Sequence, residues 1–368
     1  MRSRARQAQV IGYPARVSER VSELAVYGLD DEVEESAREL LAAGTLLARI
    51  LSEDRLGYDL VTSRGELRGV LPGRMRRDAA RGDVERPAVG DWIVVEDRPG
   101  VDGLPVLSVV PRRTKLSRKA AGRDEVEQVV GANVDVAFLV TGLDGDVNVR
   151  RLERYRALCE EGRVTPVVVL TKSDLVDDTS ALEGEIHAAL PGVPVLRTSN
   201  VTGEGLEALD AWLVPGRTVA VLGSSGVGKS TLVNRWIDDE QATAGVDARG
   251  KGRHTTTARS LFRARNGALL LDTPGMRELA LWDAEDGVRA TFQDVEAIAE
   301  GCRFRDCKHE GEPGCAIASA LADGSLSPER LGSFQKLRAE LAGRTRRTRA
   351  EERKLSRTIR TYVKQKGR

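Results

Sequence analysis

The sequence predicts a central α/β domain with a small β-barrel before it and a short, cysteine-bearing helical module after it. Three observations lead there. Apolar runs at 166–170, 194–197, 217–222 and 268–271 are short and separated by polar, helix-compatible segments, the pattern of a buried sheet. Residues 43–112 hold five runs of strand character divided by Gly-rich and charged turns. Three of the four cysteines crowd between 302 and 315.

The central domain carries Gly223-Ser224-Ser225-Gly226-Val227-Gly228-Lys229-Ser230, a complete G-x-x-x-x-G-K-[ST] loop. Its glycines let the backbone wrap a phosphate closely, so that successive N–H groups point at the anion beside a helix N-terminus. Lys229 is spaced to reach β- and γ-phosphate oxygens, and the Ser230 hydroxyl to ligate Mg²⁺. Residues 217–222 read as the strand entering the loop and 231–237 as the helix leaving it, so Thr231 joins the nucleotide-binding set.

Downstream, Asp272-Thr273-Pro274-Gly275 ends the run 268–271. A strand-end Asp272 can hold Mg²⁺ through water, and the Gly275 amide can sense a γ-phosphate. Between loop and strand lies Gly250-Lys251-Gly252-Arg253-His254-Thr255-Thr256-Thr257, basic and rich in hydroxyls. Thr256, with Thr255 next, is the candidate to close on Mg²⁺ only when the γ-phosphate is present.

Upstream, Thr171-Lys172-Ser173-Asp174 follows the run 166–170. Asp174 can accept from the guanine N1–H and exocyclic amine while the aliphatic stem of Lys172 covers a ring face. Adenine offers no matching donor pair. Ser199-Asn200, after 194–197, can turn a backbone amide toward the guanine O6.

Base-reading element, Ser-Asn turn, phosphate loop, His-Thr-Thr-Thr switch and Asp-x-x-Gly, in that order, resemble the circularly permuted GTPases. With its flanking regions the chain resembles the ribosome small subunit-dependent GTPase A family over about residues 43–320. Rotation of chain order is permissible because a domain's termini usually lie close together. Thr171 stands where most GTPases carry Asn, so a hydroxyl must replace an amide. Met276 follows Gly275, where many GTPases place a water-orienting Gln, and a thioether cannot orient water. The family pattern has a His where this chain has His254, which implies a catalytic role for His254 beside Lys229 and Thr256.

Composition narrows the class. The 57 Lys and Arg against 56 Asp and Glu give a net charge of +1, so global basicity does not announce a nucleic-acid partner. No apolar run is long enough to span a membrane, and the Arg-rich opening lacks the hydrophobic core of a secretory signal. Four cysteines in 368 residues do not make a disulfide scaffold. A soluble, cytoplasmic, monomeric protein is expected.

Cys302, Cys307, His309 and Cys315 offer three thiolates and an imidazole, the donor set of a closed, structural zinc site. The resemblance places a zinc module there too. Cys159 stands apart and reads as a buried hydrophobe. The five strand runs suit a barrel of the oligonucleotide-binding type, which the resemblance also implies. The cluster Arg74, Arg76, Arg77 and Arg81 is expected in the loop before the fourth strand. Aromatic residues are 4% of the chain, so RNA recognition would rest on backbone and shape.

The expected division is an N-terminal extension at 1–42, partly disordered or helical, a barrel at 43–113, a permuted GTPase domain at 114–284, a zinc module at 285–335 and a basic helix or tail at 336–368. That last segment carries thirteen Lys and Arg against three Glu, which suits neutralisation of phosphates. The expected function is a GTPase of late small-subunit assembly that uses GTP and GDP with Mg²⁺, with rRNA and the small ribosomal subunit as partners. The alternatives are a permuted GTPase of large-subunit assembly and an RNA-binding protein with a vestigial nucleotide site.

Overall fold

Two units make up the chain, Met1–Pro87 with Trp92–Pro111 and Ala88–Asp91 with Arg112–Arg368. The computed structural model describes residues 23–119, 127–237, 259–272, 285–304, 307, 309 and 312–339. His254, Thr255, Thr256, Gly275 and Met276 lie outside the described residues, as do 1–22 and 340–368.

In the first unit, α1 (Asp31–Arg38) begins where the Asp30 carboxylate accepts from the Val33 amide at 3.0 Å, an N-cap that satisfies one orphan donor. Strands β1 (Thr45–Glu53), β2 (Tyr58–Thr62) and β3 (Gly65–Val70) follow, then α2 (Gly73–Arg81), β4 (Trp92–Glu96) and β5 (Leu104–Val109). β1 pairs with both β2 and β4, β2 with β3, β3 with β5 and β5 with β4, so the ladder closes on itself. This is the five-stranded OB-type barrel. Leu24, Leu29, Val33 and Ala37 pack with Val61, Trp92, Val94 and Val110, which gives residues 24–37 a structural role that sequence alone did not assign.

One expectation is corrected here. Arg74, Arg76, Arg77 and Arg81 lie on the helix α2 rather than in a loop, and this helix buries no residue. Its half-buried residues Met75, Asp78 and Ala79 share one face, but four arginines in nine residues read as a charged loop. Its stop is legible in hindsight: Gly82, at φ 81°, returns its N–H to the carbonyls of Asp78 and Ala79.

The second unit opens with the hairpin of β6 (Lys115–Lys119) and β7 (Glu127–Ala132). Its main sheet holds β8 (Val136–Gly142), β9 (Thr165–Thr171), β10 (Val195–Arg197), β11 (Thr218–Gly223), β12 (Arg259–Arg263) and β13 (Leu269–Asp272) in the order β10-β9-β8-β11-β13-β12. All neighbours are parallel except the β12–β13 pair. β8 and β11 are buried from end to end, as strands covered on both faces must be.

Helices α3 (Val149–Glu161), α4 (Ser180–Ala189), α5 (Leu206–Asp210) and α6 (Lys229–Trp236) cover this sheet. Phe138, Val140, Val167, Val169, Val221, Leu232 and Trp236 share one core cluster. The β8–β9 register sets Gly142 opposite Thr171, and the β8–β11 register sets Val140 opposite Gly223. The carboxyl ends of three strands therefore lie side by side, where open α/β sheets bind ligands.

Helices α7 (Glu285–Thr291), α8 (Gln293–Glu300), α9 (Ala316–Ala322) and a helical stretch at 328–339 complete the unit. A Cβ on Gly287 would sit 2.1 Å from the Ala157 carbonyl oxygen, so only glycine lets α7 lie this close to α3. The Arg330 side chain then binds the pieces together. It donates to Glu153 Oε1 at 2.7 Å, the Ala189 carbonyl at 2.9 Å, the Thr291 carbonyl at 2.7 Å and Asp294 at 2.8 and 3.0 Å, and lies over the Phe292 ring at 4.2 Å.

Candidate nucleotide and metal sites

β11 delivers the chain into the phosphate loop, and α6 begins at Lys229. Gly223, Gly226 and Gly228 all have positive φ, at 153°, 84° and 96°. A Cβ on Gly223 would lie 2.2 Å from the Val140 carbonyl oxygen, which fixes glycine at the mouth of the loop. Ser225, Gly226, Ser230 and Thr231 are exposed while Val227 is buried, so the loop is anchored at its centre and open to solvent around it. The Lys229 ammonium rests on the Ser224 carbonyl. An ammonium carries three donors, so this contact can persist while Lys229 reaches a phosphate.

The segment 171–174 meets this loop directly. Thr171 is fully buried, and its hydroxyl donates to the Val227 carbonyl at 2.6 Å, with the Thr141 carbonyl at 3.2 Å. The hydroxyl thus ties the end of β9 to the phosphate loop. Thr171→Val, nearly the same shape, removes that donor and leaves a buried carbonyl unpaired. It is expected to weaken GDP binding or the fold by about 1–3 kcal/mol, read by nucleotide titration and thermal melting; a silent substitution would show the bond to be dispensable.

Lys172 sits in the left-handed region at φ 62°, and its ammonium pairs with Asp144. That lysine holds the Asp144 carboxyl below the usual carboxylate range. Asp174 is exposed, and the Ser199 hydroxyl donates to its Oδ1. Ser199 Oγ in turn accepts from the amides of Val201 and Thr202 at 3.1 Å each. Asn200 Nδ2 lies 3.5 Å from where a Cβ on Gly228 would be, so the Ser-Asn turn closes over the loop as well. Glu204 supports the floor, accepting from Ser173 Oγ at 3.0 Å and Arg197 at 2.9 Å, and Arg197 holds its carboxyl low.

Sequence reasoning missed Asp146. Its Oδ2 accepts from the Ser224 hydroxyl at 2.6 Å and from Arg151 at 2.6 Å. The available signal was a pair of carboxylates just past the end of the apolar strand β8. Asp272 ends β13, with its backbone opposite Ser260. The switch residues His254 and Thr256, and Gly275, lie outside the described residues.

At the far end, ligand atoms of Cys302, Cys307, His309 and Cys315 lie within 4.8 Å of one another. His309 Nδ1 stands 3.6 Å from the sulfurs of both Cys302 and Cys315. A tetrahedral ion with ordinary bond lengths to sulfur and nitrogen has S···N edges of about 3.6 Å. The donor set and its spacing fit a metal. Cys315 also caps α9, its sulfur accepting from the Ala318 amide at 3.4 Å. Cys159, on α3, is buried and far from this chemistry, and burial pushes its thiol well up.

This geometry has relatives. The family model described as RsgA GTPase matches residues 109–282. The chain is 44% identical over 335 residues to the small ribosomal subunit biogenesis GTPase RsgA of Opitutus terrae, covering 88% of this chain and 91% of the relative. It is 43% identical over 279 residues to the protein of that name in Methanosarcina acetivorans, covering 74% and 76%. The crystal structure of YjeQ from Thermotoga maritima shares the fold at TM-score 0.57 and 24% identity, covering 81% of this chain and 99% of that one. YloQ, a circularly permuted GTPase, does so at 0.55 and 24%, covering 82% and 96%. Rotated strand order, clamped phosphate loop and extended sequence identity agree: the chain belongs to the RsgA GTPase family.

Proposed function

We propose that this protein hydrolyses GTP as a late assembly factor of the small ribosomal subunit, the subunit stimulating turnover and hydrolysis driving release. The observation that carries the nucleotide reading is the Thr171–Val227 bond, which joins a guanine-reading element to a phosphate-binding loop. The relatives named for small-subunit biogenesis support the partner. The barrel, the arginines of α2 and the basic segment 336–368 supply surface for rRNA. The protein works in the cytoplasm as a monomer; among the described residues no helix is long and apolar enough to cross a membrane.

In this reading Asp174 and Lys172 hold guanine, and the loop amides with Lys229 hold the phosphates. Ser230, Thr256 and Asp272 would hold Mg²⁺, directly or through water, and the ion when bound neutralises charge developing on the transferred phosphoryl group. His254 orders the attacking water, since Met276 offers no hydrogen bond to it. Rates of GTP and ATP hydrolysis with each purified ribosomal subunit test the whole reading. Stimulation of GTP turnover by the small subunit alone is expected; stimulation by the large subunit, or none by either, would overturn it. His254→Ala is expected to lower the stimulated kcat by roughly 10²-fold with GTP affinity little changed. If only the half-saturating subunit concentration moves, His254 docks the subunit instead.

The ion at Cys302, Cys307, His309 and Cys315 is zinc, in a structural role, because four protein ligands leave no open position. Metal analysis of the purified protein is expected to find one zinc per chain, with chelation lowering the melting temperature. Zinc absent, or retained after all four ligands are replaced, would count against this.

A further inference from the structure

The loop joining β8 to α3 touches both halves of the nucleotide site. Asp144 pairs with Lys172 of the base-reading element, and Asp146 accepts from Ser224 of the phosphate loop. What holds Asp146 in place is Arg151, which donates to its carboxylate at 2.6 Å and to its backbone carbonyl at 2.5 Å. Arg151 also lines a recess of about 270 Å³ at the start of α3, together with Asn148, Arg150, Arg154, Ser333 and Lys336.

Among the described residues that line this recess, four side chains are cations and none is a carboxylate. Of the acids nearest in sequence, Asp146 pairs with Arg151 at the edge of the recess as well as with Ser224, and Glu153 is buried against Arg330. Gathering like charges around one concavity costs energy that an anion relieves. Arginine forks match the oxygen pairs of a phosphodiester.

We propose that the recess docks a backbone phosphate of RNA, and that the docked phosphate draws Arg151 from Asp146. The choice of RNA rests on the proposed function. Once Arg151 turns to the phosphate, the Asp146 carboxylate is left uncompensated beside Ser224 and repels the nucleotide phosphates. RNA therefore weakens GDP binding, and by linkage GDP weakens RNA binding by the same factor.

The test is the release of fluorescent GDP from the full-length protein, with and without a 20-nucleotide single-stranded RNA. RNA is expected to speed release roughly fivefold or more. Arg150→Gln with Lys336→Gln, two exposed positions away from the nucleotide, should bind GDP normally without RNA and lose most of that acceleration. Its RNA affinity should also depend less on salt, the slope falling by about one to one and a half. Arg151→Gln should release GDP fast from the start and respond no further. An acceleration in the double variant equal to that of the unaltered protein would overturn the proposal, as would RNA-independent release by the unaltered protein. Equal acceleration by inorganic pyrophosphate at matched phosphate concentration would reassign the recess to free phosphates and overturn the RNA assignment. Failure to hold GDP at all would instead defeat the GTPase reading on which this one stands.

Discussion

Asp174→Asn is expected to shift base preference from guanine to xanthine and to lower GTP affinity roughly 10²- to 10⁴-fold. The carboxylate would make two charge-assisted hydrogen bonds to guanine, each worth about 1.5–3 kcal/mol. The structure also says which way the new amide will face. The Ser199 hydroxyl donates to Oδ1, and a donor on Ser199 selects the amide oxygen at that position. The amide nitrogen is then left facing the base, where it opposes the guanine amine and matches the xanthine carbonyl. Competition of GTP, XTP and ATP against a fluorescent guanine nucleotide measures this. Unchanged preference in the variant would remove Asp174 from the base site.

Arg330→Met is expected to destabilise the second unit by about 3–5 kcal/mol, because it strands a buried carboxylate. Glu153 is 2% exposed and has Arg330 as its ion-pair partner at 2.7 Å. Burial pushes the Glu153 carboxyl up even with that partner, and Arg330 is among the groups that pull it back. In the variant the folded-state value rises further. A raised carboxyl favours the folded state below its unfolded value and loses that advantage as pH rises through the folded value. The deficit should therefore be smaller at pH 4 than at pH 7, and Glu153→Gln combined with Arg330→Met should recover part of it. Urea melts across that range decide; a deficit under about 1 kcal/mol, flat with pH, would show that the pair does not hold α3 to the helices after 285.

What was legible in the sequence was contiguous. The loop motif at 223–230 and the tetrapeptide at 171–174 each lie within a few residues, and the five strand runs of the barrel reveal themselves by alternation. What stayed hidden joins distant positions. Ser224 and Asp146 are 78 residues apart, and Arg330 and Glu153 are 177 apart, with no local pattern announcing either bond. The helix α2 stayed hidden for another reason, since its half-buried face is short and four arginines in nine residues read as a charged loop. The role of Thr171 was only half legible. Its departure from Asn was visible, but that its hydroxyl clamps the loop at Val227 required the fold.

The rotated order of strands has a consequence for how the chain is made. β8, β9 and β10, which pair among themselves, are all translated before the phosphate loop. The next strand of this sheet to be translated, β11, pairs with β8 in parallel. β13 arrives later and flanks β11 on its other side. The strands that lead into residues 171–174 and Ser199-Asn200 are therefore complete before the loop at 223–230 has been made.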